Sequence, residues 1–164
     1  MKQELSSAVY RYRFIVPESA LDRNGHVNNV VYVQWMQDVA IRHAESVDGT
    51  RIVQSLGATW VVRSHNIEYL APAFAGDEVV ALTWVVDFRR ARSRRRYRFI
   101  LETDNTLLAR GETEWVFVDA ASGRPRAIPP EVARVFPCRP QAPNPEHLES
   151  RRQMPSTSRV RLLP

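Results

Sequence analysis

The sequence predicts an α+β domain in which an antiparallel sheet of five or six strands wraps around one long helix. One stretch, beginning near Asn28, places apolar residues at helical spacing over about 18 residues, enough for a central helix. Four long extended segments follow it with short connections, which favours antiparallel pairing. A sheet packed on a helix is a layered arrangement in which both elements bury their apolar faces.

The first predicted strand covers residues 8–16, where polar and apolar residues alternate. A loop then leads to the helix, for which Asn28 or Asn29 is a suitable N-cap and Gly49 a suitable C-terminal stop. Apolar residues cover more than one face of this helix, so we expect it to be largely buried. Its main apolar face consists of Tyr32, Trp35, Met36, Val39, His43 and Val47.

Turn-forming residues separate the later strands. The extended segments cover residues 59–70, 78–88, 92–103 and 107–118. A short turn or helix is expected at 50–56, and one or two helical turns at 128–136. Residues 1–136 are expected to form a single domain, because a chain of 164 residues suffices for one domain and hardly for two. Residues 137–164 are rich in proline, serine and arginine and show no apolar periodicity, so we expect a flexible tail there.

The composition argues against several classes of protein. The sequence contains no apolar run of about 18 residues, the length that a transmembrane helix needs. Residues 1–14 lack the apolar segment of a secretory signal. Cys138 is the only cysteine, which excludes an internal disulfide and a cysteine zinc site and favours a reducing compartment. The four histidines show no metal-ligand spacing. We therefore expect a cytoplasmic protein without membrane association, metal or cofactor.

The net charge of +5 and the pI of about 10.0 raise the question of nucleic-acid binding. The positive charge is concentrated in residues 87–98, which contain seven arginines, and in the tail. The rest of the chain is net acidic, and no known DNA- or RNA-binding module is present. We expect no nucleic-acid partner.

The loop before the helix carries the strongest indication of function. Residues 21–29 read LDRNGHVNN. They resemble hotdog-fold thioesterases in two ways: Asp22 and Gly25 match the Asp-x-x-Gly of the 4-hydroxybenzoyl-CoA thioesterase branch, and residues 22–29 match the Asp-x-Asn-x-His-Val-Asn-Asn of plant acyl-ACP thioesterases. The segment IEYLAPAFAGDEV, residues 67–79, is also similar to the family. The resemblance covers residues 8–136 and implies a hotdog fold and hydrolysis of an acyl-CoA or acyl-ACP thioester.

Thioester hydrolysis needs a base or nucleophile and donors for the developing oxyanion. Asp22 can act as base or nucleophile, and the sequence leaves both routes open. The helix start at Asn28 and Asn29 offers unpaired backbone N–H groups and a partial positive charge. Gly25 allows close approach of the backbone because it has no side chain.

Two further loop residues are candidates. Asn24 could orient substrate or water, and His26 could transfer a proton. The alternative is that the loop is ordinary turn chemistry, in which the Asp22 and Asn24 side chains satisfy nearby N–H groups. A cysteine mechanism of the plant type has no candidate here because Cys138 lies in the tail, which leaves Asp22 as the favoured catalytic group.

Outside the loop, Glu68 is a possible second carboxylate, or else an exposed strand residue. His65 lies on the opposite strand face and is expected to be structural, and His43 is expected to be a hydrogen-bonded interior histidine.

The arginine-rich strand suggests a site for the phosphates of CoA or for an acidic carrier protein. Alternation places Arg92, Arg94 and Arg96 on one face and Arg95 on the other. Arginine clusters recognise phosphates, although such charge runs are often simply solvated.

Two functions remain open from the sequence: hydrolysis of an acyl thioester, and binding of acyl-CoA as a regulator or sensor without hydrolysis. One domain of this shape leaves sheet edges uncovered, so we expect a homodimer with sites at the interface, or further a tetramer.

Overall fold

The structure is a computed structural model and describes residues 8–143. Its strands are β1 (Tyr10–Ile15), β2 (Ala58–Tyr69), β3 (Glu78–Arg89), β4 (Arg92–Leu101) and β5 (Leu107–Asp119). Its helices are α1 (Asn29–Ser46), α2 (Gly49–Ser55) and α3 (Pro130–Arg134). A single 3₁₀ turn, Glu18–Ala20, lies between β1 and α1.

The five strands form one antiparallel sheet in the order β1-β3-β4-β5-β2. This confirms the predicted α+β class and the antiparallel sheet with one long helix. β1 and β2 are the two edges, so among residues 8–143 one side of the 12-residue strand β2 has no strand beside it. A long uncovered edge presents unpaired backbone N–H and C=O groups that a strand of another chain can pair with.

The N-cap of α1 is Asn28, one of the two predicted caps, and the helix ends earlier than predicted. The Asn28 side chain accepts a hydrogen bond from Val30 N at 3.0 Å, which satisfies an N–H group of the first turn. The helix stops at Ser46, and Asp48, with a φ of +63°, turns the chain into α2. Gly49 is therefore no C-terminal stop but the buried first residue of α2, where a Cβ would lie 2.8 Å from the Phe136 ring.

The core lies between α1 and one face of the sheet. Met36 is fully buried in the middle of α1 and packs against β5 at Gly111, where a Cβ would lie 2.8 Å from the Met36 sulfur. The absence of a side chain at Gly111 thus lets α1 approach the sheet closely. Other buried residues of α1 are Tyr32, Val39, Ala40 and His43.

The other face of the sheet is also partly covered. Trp84 and Leu82 of β3 are buried there, and Ala142 packs against this cluster. Arg139 N donates a hydrogen bond to Val85 O at 2.8 Å, so residues 137–143 lie on the outer face of the sheet. The rest of the predicted tail, residues 144–164, lies outside the described residues, and the proposed boundary at 136 stays a prediction.

Within residues 8–143, no helix is both long enough and apolar enough to cross a membrane.

Candidate active site at the start of the long helix

The loop that leads into α1 is a closed turn. Leu21 and Val27 form an isolated antiparallel bridge, and Asp22 N donates to His26 O at 2.7 Å. Gly25 has a φ of +77°, a conformation that suits glycine, and its N–H donates to Asp22 O at 3.1 Å. The turn therefore presents residues 22–26 at the N-terminal end of α1.

The Asp22 carboxylate has one occupied and one open oxygen. Its Oδ1 accepts hydrogen bonds from Asn24 N at 2.8 Å and His26 N at 3.3 Å. Its Oδ2 makes no hydrogen bond to any described residue, and the side chain is half-buried. The Asp22 side chain therefore satisfies N–H groups of the turn, as one of the two interpretations of the sequence predicted. Its Oδ2 is left available to accept a proton.

Hydrogen bonds within the loop also occupy most of the backbone N–H groups that could bind an oxyanion. The N–H of Gly25 is bonded within the turn, and that of Asn28 donates to Ala20 O at 2.8 Å. The N–H of Val30 is held by the Asn28 side chain. The N–H of Asn29 makes no hydrogen bond to the described residues. Of the three residues predicted for this role, Asn29 thus offers the available donor.

The connection between β2 and β3 holds the loop in place. Val27 N donates to Ala73 O at 2.9 Å, and the Phe74 ring packs edge-on against His26 at 5.2 Å. Tyr69 OH donates to Asn29 O at 2.8 Å, which fixes the first turn of α1. Sequence reasoning did not single out Tyr69 or Phe74, although both lie in the segment 67–79 that resembles the family.

Apolar surface lies beside the open N–H group. Val30, Leu70 and Phe74 are exposed, and Tyr69 is partly so. Beneath them Tyr32 is buried, and burial, with smaller contributions from Tyr69 and Asp77, raises its pKa to about 12. Its phenol is therefore neutral at neutral pH. The surroundings suit an apolar acyl group approaching a carboxylate and a backbone donor.

Two loop candidates, Asn24 and His26, are exposed at the turn. The side chain of Asn24 makes no hydrogen bond to the described residues, and the imidazole of His26 contacts Phe74 alone among the described rings. Both lie beside Asp22, and their chemical roles stay predictions.

Glu68 is not brought to the loop. It points away from α1, is exposed, and pairs with Arg110 Nη2 at 2.7 Å. On the same strand, His65 faces the helix side and its Nδ1 lies 2.8 Å from Thr113 Oγ1, a structural hydrogen bond. The structure therefore gives Glu68 no place beside Asp22 within one chain.

The predicted phosphate-binding arginines also lie away from the loop, on the outer face of the sheet. Each already has a carboxylate partner: Arg92 with Glu114 at 3.2 Å, Arg94 with Asp87 at 2.6 Å, and Arg96 with Glu112 at 2.8 Å. The Arg94 partnership holds the pKa of Asp87 below its usual value. The arrangement gives no support to a shared phosphate site next to Asp22.

An antiparallel five-stranded sheet packed on one long helix is the arrangement of the hotdog fold. A family model for the thioesterase-like superfamily matches residues 16–136. The chain therefore belongs to the thioesterase-like superfamily and is a thioester hydrolase.

Solved structures share the fold at low sequence identity. A 1,4-dihydroxy-2-naphthoyl-CoA thioesterase from Synechocystis is 18% identical with a TM-score of 0.71, covering 78% of this chain and 95% of its own. A protein from Staphylococcus aureus solved in complex with CoA is 21% identical with a TM-score of 0.73, covering 90% and 96%. An acyl-ACP thioesterase from Bacteroides thetaiotaomicron is 18% identical with a TM-score of 0.74, covering 97% of this chain and 61% of its own. No curated protein matches the chain.

Proposed function

We propose that this protein hydrolyses an acyl-CoA or acyl-ACP thioester to the free acid and the thiol. Asp22 Oδ2 acts as the base or nucleophile, and the carbonyl oxygen is polarised by the N-terminus of α1. The observation that carries the proposal is the pairing of one open carboxylate oxygen with one open helical N–H group, that of Asn29, in a single short loop. Two of the similar structures, an acyl-ACP thioesterase and a protein solved in complex with CoA, support these two carriers.

The chemistry follows from the positions of the two groups. Asp22 can remove a proton from the attacking water or attack the carbonyl itself. Acting as a general base, a carboxylate raises the reaction rate about 10²- to 10⁴-fold. A backbone N–H at the developing oxyanion adds about 10²- to 10³-fold, and the positive end of α1 acts in the same direction. The oxyanion donor and the helix end act in the same way whether Asp22 is the base or the nucleophile.

The loop geometry permits a test that separates catalysis from structure. An asparagine at position 22 has an Oδ1 that can still accept the N–H groups of Asn24 and His26, whereas an alanine has none. We expect Asp22→Asn to keep the wild-type melting temperature and lose about 10²-fold or more in kcat. We expect Asp22→Ala to lose activity and about 1–2 kcal/mol of stability as well. Release of thiol from acyl-CoA, followed with a thiol reagent, gives kcat.

Asp104 provides the matched control, because its Oδ1 also holds a turn by accepting from Thr106 N at 3.0 Å. Asp104→Asn should retain full turnover. Wild-type turnover in Asp22→Asn would show that Asp22 only holds the loop.

A second function, binding of acyl-CoA without hydrolysis, is favoured by one observation: Asp22 already has a structural role through Oδ1. Calorimetric binding of acyl-CoA by a protein that releases no thiol from any acyl-CoA or acyl-ACP would establish this second function. A panel of aliphatic and aromatic acyl-CoA esters in the same assay would identify the acyl group.

We further propose a homodimer, or a dimer of dimers, with the sites near the interface. The uncovered edge of β2 and exposed apolar residues beside it, Val61 on β2 and Ile41 on α1, support a protein partner at this side. A second copy of the chain is the simplest such partner. We propose the cytoplasm as its location, because acyl-CoA and acyl-ACP are intracellular; cell fractionation tests this.

A further inference from the structure

A cavity lies at the far end of α1 from the Asp22 loop. It has a volume of about 460 Å³, within the range of small-molecule sites. Residues 37–44 of α1 line it, well along the helix from the cap at Asn28. Its aromatic lining consists of Trp60, Phe88, Trp115 and Phe136. The cavity is therefore a separate, largely apolar pocket between the helices and the sheet.

One buried cation, Arg95, lines this apolar pocket. Arg95 is only 6% exposed, and among residues 8–143 no carboxylate pairs with it. Burial lowers its pKa, but a guanidinium starts so far above neutral pH that it keeps its charge. An unpaired charge is costly to bury, so a buried arginine normally has an acidic partner.

The neighbours of Arg95 do not neutralise it. Its Nη1 lies 2.8 Å from His43 Nδ1 and donates to Thr83 Oγ1 at 3.2 Å. Burial and the charge of Arg95 lower the pKa of His43 to about 3, so this imidazole is neutral and accepts the hydrogen bond. The Phe136 ring, 5.5 Å from Arg95 Cζ, adds a cation–π contact without a negative charge.

The remaining donors of Arg95 are open. Its Nε and Nη2 carry three N–H groups that make no hydrogen bond to the described residues, and together they form the edge of the guanidinium that binds a carboxylate in bidentate geometry. The pocket thus combines an unneutralised bidentate donor with aromatic walls. Its chemistry matches an anion with an apolar body.

We propose that this pocket binds an apolar carboxylic acid, with the carboxylate on Nε and Nη2 of Arg95 and the body among the aromatic side chains. The ligand supplies the negative charge that the described residues do not. A neutral compound of the same shape would leave the guanidinium unpaired and would bind less well. Within one chain the pocket and the Asp22 loop share no residue, and the proposal does not require thioester hydrolysis.

Matched pairs of acids and amides test the proposal on the full-length protein. The probes are octanoate with octanamide, and 4-phenylbutyrate with 4-phenylbutanamide. Binding is measured by calorimetry and by tryptophan emission, because Trp60 and Trp115 line the pocket. We expect each acid to bind wild type at least about tenfold more tightly than its amide. Equal affinity for acid and amide, or no binding of either, would overturn the proposal without any variant.

Two variants locate the acid. Arg95→Met should reduce the preference for the acid to about one, by removing the bidentate donor. The matched control is Arg98→Met, the same change on the outer face of β4, which should leave the preference unchanged. An equal loss of the preference for the acid in both variants would mean that acid binding depends on the overall charge of the protein. That result would overturn the assignment to Arg95.

A third variant places the ligand in the pocket. Ala44 lines it from α1, so Ala44→Leu should fill part of the space and weaken acid and amide alike. Unchanged binding in Ala44→Leu would show that the ligand lies elsewhere. None of these measurements requires turnover, so they decide the proposal even if the protein hydrolyses no thioester.

Discussion

His43 is held neutral inside the protein by its environment. It is 2% exposed, stacks on Tyr10 of β1 and faces Arg95 of β4. Burial, with the charge of Arg95, lowers its pKa to about 3. In the unfolded chain a histidine titrates near 6.5, so below that pH the unfolded state binds one more proton than the folded state.

This difference predicts a loss of stability in mild acid. The contribution of His43 is fully present above pH 6.5 and falls as the pH drops from 6.5 toward 3. Between pH 7 and pH 5 the loss should be about 2 kcal/mol. Urea unfolding at the two pH values measures it. His43→Gln, which does not titrate and can still accept from Arg95, should lower this pH dependence by the same amount. An unchanged pH dependence in His43→Gln would contradict the assigned pKa.

At the scale of single residues, the sequence predicted types of group better than it predicted which atoms are free. An N-cap at Asn28 or Asn29 was predicted, and the structure has it at Asn28. The choice of Asn29 as the open donor was not predictable, because it depends on the carbonyl of Ala20 accepting from Asn28. Likewise, alternation separated Arg95 from its neighbours, but only the packing of α1 and Phe136 makes it a buried, unneutralised cation.

At the scale of elements, β4 has two different faces. Its outer face carries ion-paired arginines, and its inner face carries Arg95, Tyr97 and Phe99, all buried. The period of two in the sequence predicted these faces, because successive side chains of a strand point in opposite directions. Which face meets the loop depends on the position of α1, and α1 lies on the face opposite to the ion-paired arginines.

This geometry yields a prediction about CoA. Arg96 is held by Glu112 and by Pro140 O at 3.3 Å on the outer face. We expect Arg96→Gln to leave KM for acyl-CoA within about twofold of wild type, since an exposed ion pair away from the site contributes little. The comparison substrate is the matching acyl-pantetheine, which lacks the adenosine phosphates. A KM that rises about tenfold for acyl-CoA alone would place the phosphates at this strand.

Strand and helix positions were largely predictable, and their ends were less so. The four later strands fall close to the predicted segments because glycine, proline and asparagine mark the turns. Gly49 was misassigned because glycine after a helix usually ends it, whereas here it is the first residue of α2 and makes room for Phe136. That role depends on a residue 87 positions later in the chain.

At the scale of the whole molecule, the two edges of the sheet differ in length and surroundings. β1 has six residues and β2 has twelve. β2 also leads from the Arg95 pocket at Trp60 to the Asp22 loop at Tyr69. A second copy that paired with β2 in antiparallel fashion would bring the loop end of one chain next to the pocket end of the other.

The proposed dimer therefore makes β2 the edge to test. Val61 is exposed on β2, and lysine at an exposed edge position opposes strand pairing. We expect wild type to have about twice the chain mass of 18.9 kDa by light scattering, and Val61→Lys to shift toward one chain mass on dilution. The matched control is Ile15→Lys on the opposite edge, where isoleucine is 67% exposed. Since β1 is not the proposed interface, this control should keep the mass of wild type. A wild-type monomer, or equal dissociation in both variants, would exclude β2 as the interface.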